Sequence, residues 1–472
     1  MILYRNLAFL SLVPAVILGG CDLAPRYQRP ALAVPSALPT GGAYPAADGQ
    51  AADVAAIGWR DFFTDERLRQ VIALGLAYNR DLRVAAANVL QARALYRAQR
   101  ADLLPTVGAN ATANVSHGAL SGGGARGGAG TSHDYSVDVG VSSFELDLFG
   151  RVRNLSRAAQ ESWFATQAAQ DATRISLIAE IASAWLALGS DRDQLALSKV
   201  TLTSFQQSVD ITRAQFEKGI ASELDVKQAE TNLQDARFDV AQLTTQIAQD
   251  QNALNLLAGT TVAEALQPGG LADHDFTLAA LPAGVSSAVL LKRPDVLQAE
   301  DQLKAQNANI GAARAAFFPT ISLTGAAGTA STALTGLFTG GSWAWNASGG
   351  GALTIFDFGR NRANLRYAEA SRDAAVATYE KSVQTAFREV SDALAQRGTI
   401  GAQIDARAAK VAAAGDAARL SEARYRNGID SFLTLLDSQR TLYAAQQSLV
   451  ETRLARETNL VALYSALGGG IG

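Results

Sequence analysis

The chain has 472 residues, of which 48% are hydrophobic and 18% charged, with a formal net charge of −3. The charged share is below the roughly 25% of ordinary soluble domains, yet beyond the N-terminus no run of about 18 uninterrupted apolar residues occurs, which excludes a polytopic helical membrane protein. Lys and Arg are spread rather than clustered, so there is no footprint for nucleic acid; one Cys and three His supply neither a metal cage nor a disulfide framework, and no enzyme chemistry, cofactor or metal is expected.

Residues 1–20 hold one basic residue, Arg5, and an apolar stretch from Leu7 to Leu18, the layout of a secretory signal. Leu18-Gly19-Gly20-Cys21 follows and reads as a lipobox, with Cys21 the lipid acceptor and mature N-terminus. Asp22 stands where an acidic residue favours inner-membrane retention in enteric lipoproteins. Residues 21–56 are rich in Pro, Ala and Gly, with Pro25, Pro30, Pro35, Pro39 and Pro45, and suit an extended, lipid-anchored linker. The folded body begins near Trp59.

That body is a tandem repeat. Asn79-Arg80-Asp81-Leu82 through Pro105-Thr106 is echoed by Arg293-Pro294-Asp295-Val296 through Pro319-Thr320 at an offset of 214 residues. Phe149-Gly150-Arg151 returns as Phe358-Gly359-Arg360, Gly219-Ile220 as Gly428-Ile429 and Gly259 as Gly468, each at an offset of 209. The difference is an insertion in the first copy, placed by the Gly-rich run Ser121 to Gly130 in a loop. The repeats span 57–270 and 271–472.

Each copy predicts the same order of elements. A helix over 81–104 (295–318 in the second copy) leads to a β-hairpin over 106–148 (320–356), whose strands alternate apolar and polar residues. A helical hairpin over 151–258 (360–467) follows, opened by a stretch of 68 residues without Pro and turned at Gly219 or Gly428. Apolar residues recur every seven positions, as in Ile181, Leu188, Leu195, Leu202, Val209 and Phe216, and again in Leu435, Leu442 and Leu449, the period of coiled-coil packing. Strand segments of about ten residues match a membrane-crossing strand. Four strands cannot close a barrel, and an open edge in lipid leaves backbone groups unpaired; three chains giving twelve strands leave room for a pore. The fold class is therefore an α+β membrane protein, a trimeric β-barrel continued by a long antiparallel α-helical coiled coil.

With these elements in place, the chain resembles the TolC-like outer membrane efflux proteins, closest to the lipoprotein branch typified by OprM. The likeness runs from Cys21 to Gly472 and rests on Ile57-Gly58-Trp59-Arg60-Asp61-Phe62-Phe63, Glu145-Leu146-Asp147-Leu148-Phe149-Gly150-Arg151, Arg293-Pro294-Asp295, Ile310 to Pro319 and Leu433-Thr434-Leu435-Leu436-Asp437. It implies a homotrimer in the outer membrane, in contact with outer membrane lipid, with a helical tunnel through the periplasm. It also implies two partners, a periplasmic adaptor (membrane fusion) protein and an inner membrane proton-driven transporter of the resistance-nodulation-division class.

Leu433 and Asp437 are four residues apart on one helical face, each two positions from the buried-stripe residue Leu435 and so about 160° from it. That face looks into the lumen, where three Asp437 carboxylates form a ring and three Leu433 side chains an apolar constriction. Both match the family's gate motif; Thr434 stands where some members carry a second Asp, so the ring is single. The resemblance further implies a latch at the closed tip between Asp210 and Tyr425, with Arg424 beside it. Asp273-His274-Asp275 lies in a polar connector with no second His nearby, and the glycines of Ser121 to Gly130 lack the Lys of a phosphate loop. The expected function is a passive duct for small molecules; the alternatives are a type I secretion duct for a polypeptide and a non-conducting periplasmic coiled-coil scaffold.

Overall fold

The computed structural model describes residues 21–45, 57–119, 129–271, 276 and 286–469. The signal segment, the Gly-rich run as far as residue 128 and Asp273-His274-Asp275 lie outside the described residues. The elements are α1 (Trp59–Phe62), α2 (Glu66–Tyr78), α3 (Arg80–Ala101), β1 (Val107–Ala119), β2 (Ala129–Leu146), α4 (Arg151–Glu217), α5 (Glu223–Ala258), α6 (Pro294–Ala315), β3 (Thr320–Ser331), β4 (Trp343–Ala352), α7 (Arg360–Arg426) and α8 (Phe432–Ala466). The two long helices α4 and α7 have 67 residues each. Proline-free, Ala-rich sequence carries them, and the glycines that follow stop them in the left-handed region, Gly219 and Gly428 both at φ +70°. Part of α4 is apolar enough to cross a membrane by length and composition, and half of that window is buried inside the protein.

The chain divides into two compact units. The first comprises residues up to Pro30, Val89–Thr166 and Ala299–Tyr379. Its centre is an antiparallel sheet in the order β1-β2-β3-β4. Val107 pairs with Val141, Leu146 with Ile321, and Thr320 with Ala352. A bulge between Val141 and Phe144 places Ser143 at φ 54°, where its amide donates to Thr324 Oγ1 at 3.2 Å. The second hairpin is shorter than its alternation predicts: β4 stops at Ala352 rather than Phe356. The reason is its partner strand, since the residue before Thr320 is Pro319, which has no N–H to give the ladder.

The N-terminal residues of this unit lie along its helices. The Cys21 amide donates to the Leu148 carbonyl at 3.0 Å, and Asp22 accepts from Asn154 and Arg157 at 3.0 and 2.9 Å. Tyr27 and Arg29 both reach Glu300, whose side chain is 2% exposed. Asp147 and Asp357 cap α4 and α7 in the same way, each accepting from amides at the helix start.

The second unit comprises Ala31–Asn88, Gln167–Gln298 and Glu380–Gly472. Trp59, Phe62, Phe63, Leu68, Val71 and Ile72 are fully buried. The Phe62 ring stacks on Tyr464 at 4.2 Å, and Trp185 donates to the Leu266 carbonyl at 2.9 Å. Arg293 is buried and bonds Asp295, Glu389 and the Ala466 carbonyl, so the motif that opens the second repeat ties α6 to α7 and α8. Residues 31–45 also touch this unit: the Ser287 amide donates to the Ser36 carbonyl at 3.1 Å, and Leu38 is buried.

Candidate functional site at the tips of the helical hairpins

The second unit contains the turns of both helical hairpins, and they are built alike. After Gly219, Ser222 caps α5 and exchanges bonds with Asp225, a reciprocal capping box. After Gly428, Ser431 caps α8 by accepting from the Thr434 amide. The heptad residues turn inward: Ile181, Leu188, Val209, Val226, Leu233, Tyr425 and Leu435 are all buried. Leu195, Leu202, Leu442 and Leu449 are half-buried, and Phe216, the last of its stripe, is 45% exposed because the helix ends one residue later, at Glu217.

Near the tip, Phe205, Val209, Ala229, Leu233, Ala236, Tyr425, Phe432, Leu435 and Leu436 form one buried cluster drawn from all four helices. Leu433 and Asp437 stay outside it: Leu433 is 59% exposed and Asp437 is exposed with no bonded partner among the described residues. One face of α8 therefore enters the cluster while the other presents an apolar and an acidic side chain four residues apart.

The latch residues have different partners from those expected. Tyr425 donates to Gln215 Oε1 and lies 3.5 Å from Thr212 Oγ1. Asp210 does not meet Tyr425 within the chain; it is exposed and accepts from Gln206 at 3.0 Å. Helix phase explains the difference. Thr212 is fully buried on the face toward Tyr425, and Asp210, two residues earlier, is about 200° around the axis. Arg424 makes a two-point bond with Asp430 across its own turn, at 2.7 and 2.8 Å, rather than bridging hairpins. Burial pushes the Tyr425 phenol above its ordinary range.

Further contacts between the hairpins lie along α8. Gln439 donates to Ser208 at 3.3 Å and Arg440 to the buried Asn232 at 2.8 Å. Tyr443 donates to Asp239 at 2.9 Å and lies 2.7 Å from the Ser198 hydroxyl; burial and the Asp239 carboxylate push its phenol up to about 12. None of these residues belongs to the heptad stripes. Their only sequence signal is that a Gln, an Arg and a Tyr sit beside stripe positions, where long polar side chains can cross to a neighbouring helix.

In the first unit Cys21 is exposed and free. Burial alone would raise the Asp22 carboxyl, but bonds from Asn154, the Ala24 amide and Arg157 outweigh it and hold it below the usual range. Among the described residues no three His, Cys, Asp or Glu gather in an arrangement able to hold a metal ion.

A sheet with open edges together with long helical hairpins, one of whose tips presents an exposed Leu and an exposed Asp, defines the class of outer membrane channels with helical extensions. Residues 71–260 and 285–469 match the model of the outer membrane efflux protein family. The toluene efflux pump outer membrane protein TtgC of Pseudomonas putida is 46% identical over 467 residues, covering 97% of this chain and 94% of that one. A membrane protein from Pseudomonas aeruginosa superposes with a TM-score of 0.88 at 39% identity, over 95% of this chain and 98% of that one. The open state of the MtrE outer membrane channel of Neisseria gonorrhoeae superposes with a TM-score of 0.84 at 37% identity, over 96% and 99% of the two chains. The chain belongs to the outer membrane efflux protein family, and is an outer membrane channel component of an efflux system.

Proposed function

We propose that three copies of the chain close a twelve-stranded barrel and form a passive duct that carries small molecules from an inner membrane pump to the exterior. The observation that carries this reading is the four-stranded sheet in which β1 and β4 each have one edge without a strand partner among the described residues. Strands of 13, 18, 12 and 10 residues are long enough to cross the bilayer, and unpaired edges inside lipid would cost several kcal/mol per group. Only further copies can remove them. Leu433 and Asp437 line the closing point at the periplasmic tip. Tyr425 holds that tip through Gln215 on the other hairpin, while Arg424 braces its own turn through Asp430 and Asp210 lies exposed beside them. A lipid on Cys21 anchors the N-terminus.

The driving force resides in the partners, an inner membrane transporter of the resistance-nodulation-division class joined through a periplasmic adaptor. The likeness to a toluene pump component favours apolar small molecules as cargo over a polypeptide. Light scattering in mild detergent tests the assembly, and a folded monomer would refute it. Planar-bilayer conductance tests the duct, and a trimer that never conducts would leave the scaffold reading in its place.

A further inference from the structure

The register puts the start of β1, the end of β2, the start of β3 and the end of β4 at one end of the sheet. The ends of α3 and α6 and the starts of α4 and α7 adjoin those strand ends. Cys21 is there too, through its bond to Leu148, so a lipid on Cys21 would set this end at the level of the periplasmic headgroups. Ile355, Phe356 and Phe358 lie between β4 and α7 and are 93%, 74% and 90% exposed, as suits side chains that dip into a bilayer surface.

The charges at this end are uneven. At the middle of the sheet, Arg151, Arg153 and Arg157 are each paired with a carboxylate, Glu145, Asp147 and Asp22 respectively. The outer helices differ. Arg97 and Arg100 lie in the last two turns of α3, which leads into edge strand β1, and Arg360, Arg362 and Arg366 in the first two turns of α7, which follows edge strand β4. All five are exposed, and none of their guanidinium groups has a hydrogen-bond or ion-pair partner among the described residues. The acidic residues of the same stretches are Asp102, which accepts from Gln99, and Asp357, held by the Gly359 and Asn361 amides and attracted by Arg360 without an ion pair to it. Glu369 follows one turn beyond, and Asp373 is paired with Arg372.

We propose that when β4 of one protomer pairs with β1 of the next, Arg360, Arg362 and Arg366 of the first and Arg97 and Arg100 of the second form a seam site for the phosphates of an anionic phospholipid of the periplasmic leaflet. The site is incomplete in one chain and rests on the trimeric reading above. Without an anion the seam gathers five guanidinium groups against three nearby carboxylates, Asp102, Asp357 and Glu369, and like charges repel. A phosphate accepts paired N–H bonds from a guanidinium and supplies the missing counter-charge. The lipid thereby joins protomers at a place where the protein supplies no ion pair of its own.

The test uses the delipidated full-length trimer in mild detergent, with native mass spectrometry for bound lipid and the trimer dissociation temperature as readouts. Phosphatidylglycerol and cardiolipin should be retained and raise that temperature, while phosphatidylethanolamine and inorganic phosphate should not. Each basic residue near an anionic surface strengthens binding about fivefold, so Arg362→Gln/Arg366→Gln and Arg97→Gln/Arg100→Gln should each weaken phosphatidylglycerol binding on the order of tenfold or more. Arg362→Lys/Arg366→Lys, which keeps the charge, should lose less, and Arg419→Gln on the distant part of α7 should lose nothing. Equal binding by wild type and both glutamine pairs would overturn the proposal, as would equal protection by inorganic phosphate or by phosphatidylethanolamine. A monomeric preparation would overturn the trimeric reading and the seam together, whereas a stable trimer indifferent to lipid would overturn the seam alone.

Discussion

Tyr425→Phe isolates one contact between the two helical hairpins. The ring remains against Phe432, 5.6 Å away between centroids, and within the buried cluster, so the change is confined to the hydroxyl that bonds Gln215 and approaches Thr212. A neutral hydrogen bond contributes about 1 kcal/mol net, and leaving a buried partner unpaired costs at least as much. Opening the tip by swinging α7 and α8 away from α4 must part this contact. With three copies moving together the closed state loses about 3 kcal/mol, roughly a hundredfold shift toward open. Single-channel recording in a planar bilayer reads that shift directly as open probability. Gln215→Leu should raise it comparably, and the double variant should add little, because both changes remove the same bond. Open probability within twofold of wild type in Tyr425→Phe would show that closure does not depend on this bond.

Other outcomes follow from the same structure. Cys21→Ser should abolish palmitate labelling, since Cys21 is the only thiol in the chain; label retained in the variant would refute lipidation there. Asp437→Ala should remove block of the channel by a trivalent cation, because a ring of carboxylates binds such an ion far better than a ring of methyl groups, and block at wild-type concentrations would place the acidic ring elsewhere. Burial, together with the hydrogen bond and charge of Asp250, pushes the Asp191 carboxyl up to about 7. The folded chain thus keeps a proton that the unfolded chain releases near pH 4, so the contribution to stability is complete below about pH 4 and falls as pH rises toward 7. Asp191→Asn should melt at a higher temperature than wild type at pH 8 and show no such gain at pH 4; parallel melting curves would contradict the assignment.

The elements were legible because their signals are local. Proline-free stretches closed by Gly219 and Gly428 mark α4 and α7, and alternation of apolar and polar residues marks the strands to within a few residues. The exposed pair Leu433 and Asp437 also follows from spacing alone, since a buried Leu435 fixes the helix phase. Asp210 illustrates the limit: its nearness in sequence to Thr212 says nothing of the face it occupies, and the packing of α7 against α4 chose Thr212 and Gln215 for Tyr425. The N-terminal segment is a second case. Its Pro-rich composition indicates an extended chain, but only the fold brings Glu300, more than 270 positions away, under Tyr27 and Arg29.

What the sequence by itself determined was therefore what depends on neighbours along the chain: the periodicity of each element, its stop signals, the recurrence of one unit and the lipid-acceptor motif. The tertiary structure decided which polar groups meet. Ser198 with Tyr443, Asn232 with Arg440 and Gln215 with Tyr425 are set by the rotation of each helix and the register between helices. The five exposed arginines beside β1 and β4, unpaired among the described residues, became visible only once the strand register placed both edges at the same end of the sheet, because pairing across a ladder is a long-range relation that no local pattern encodes.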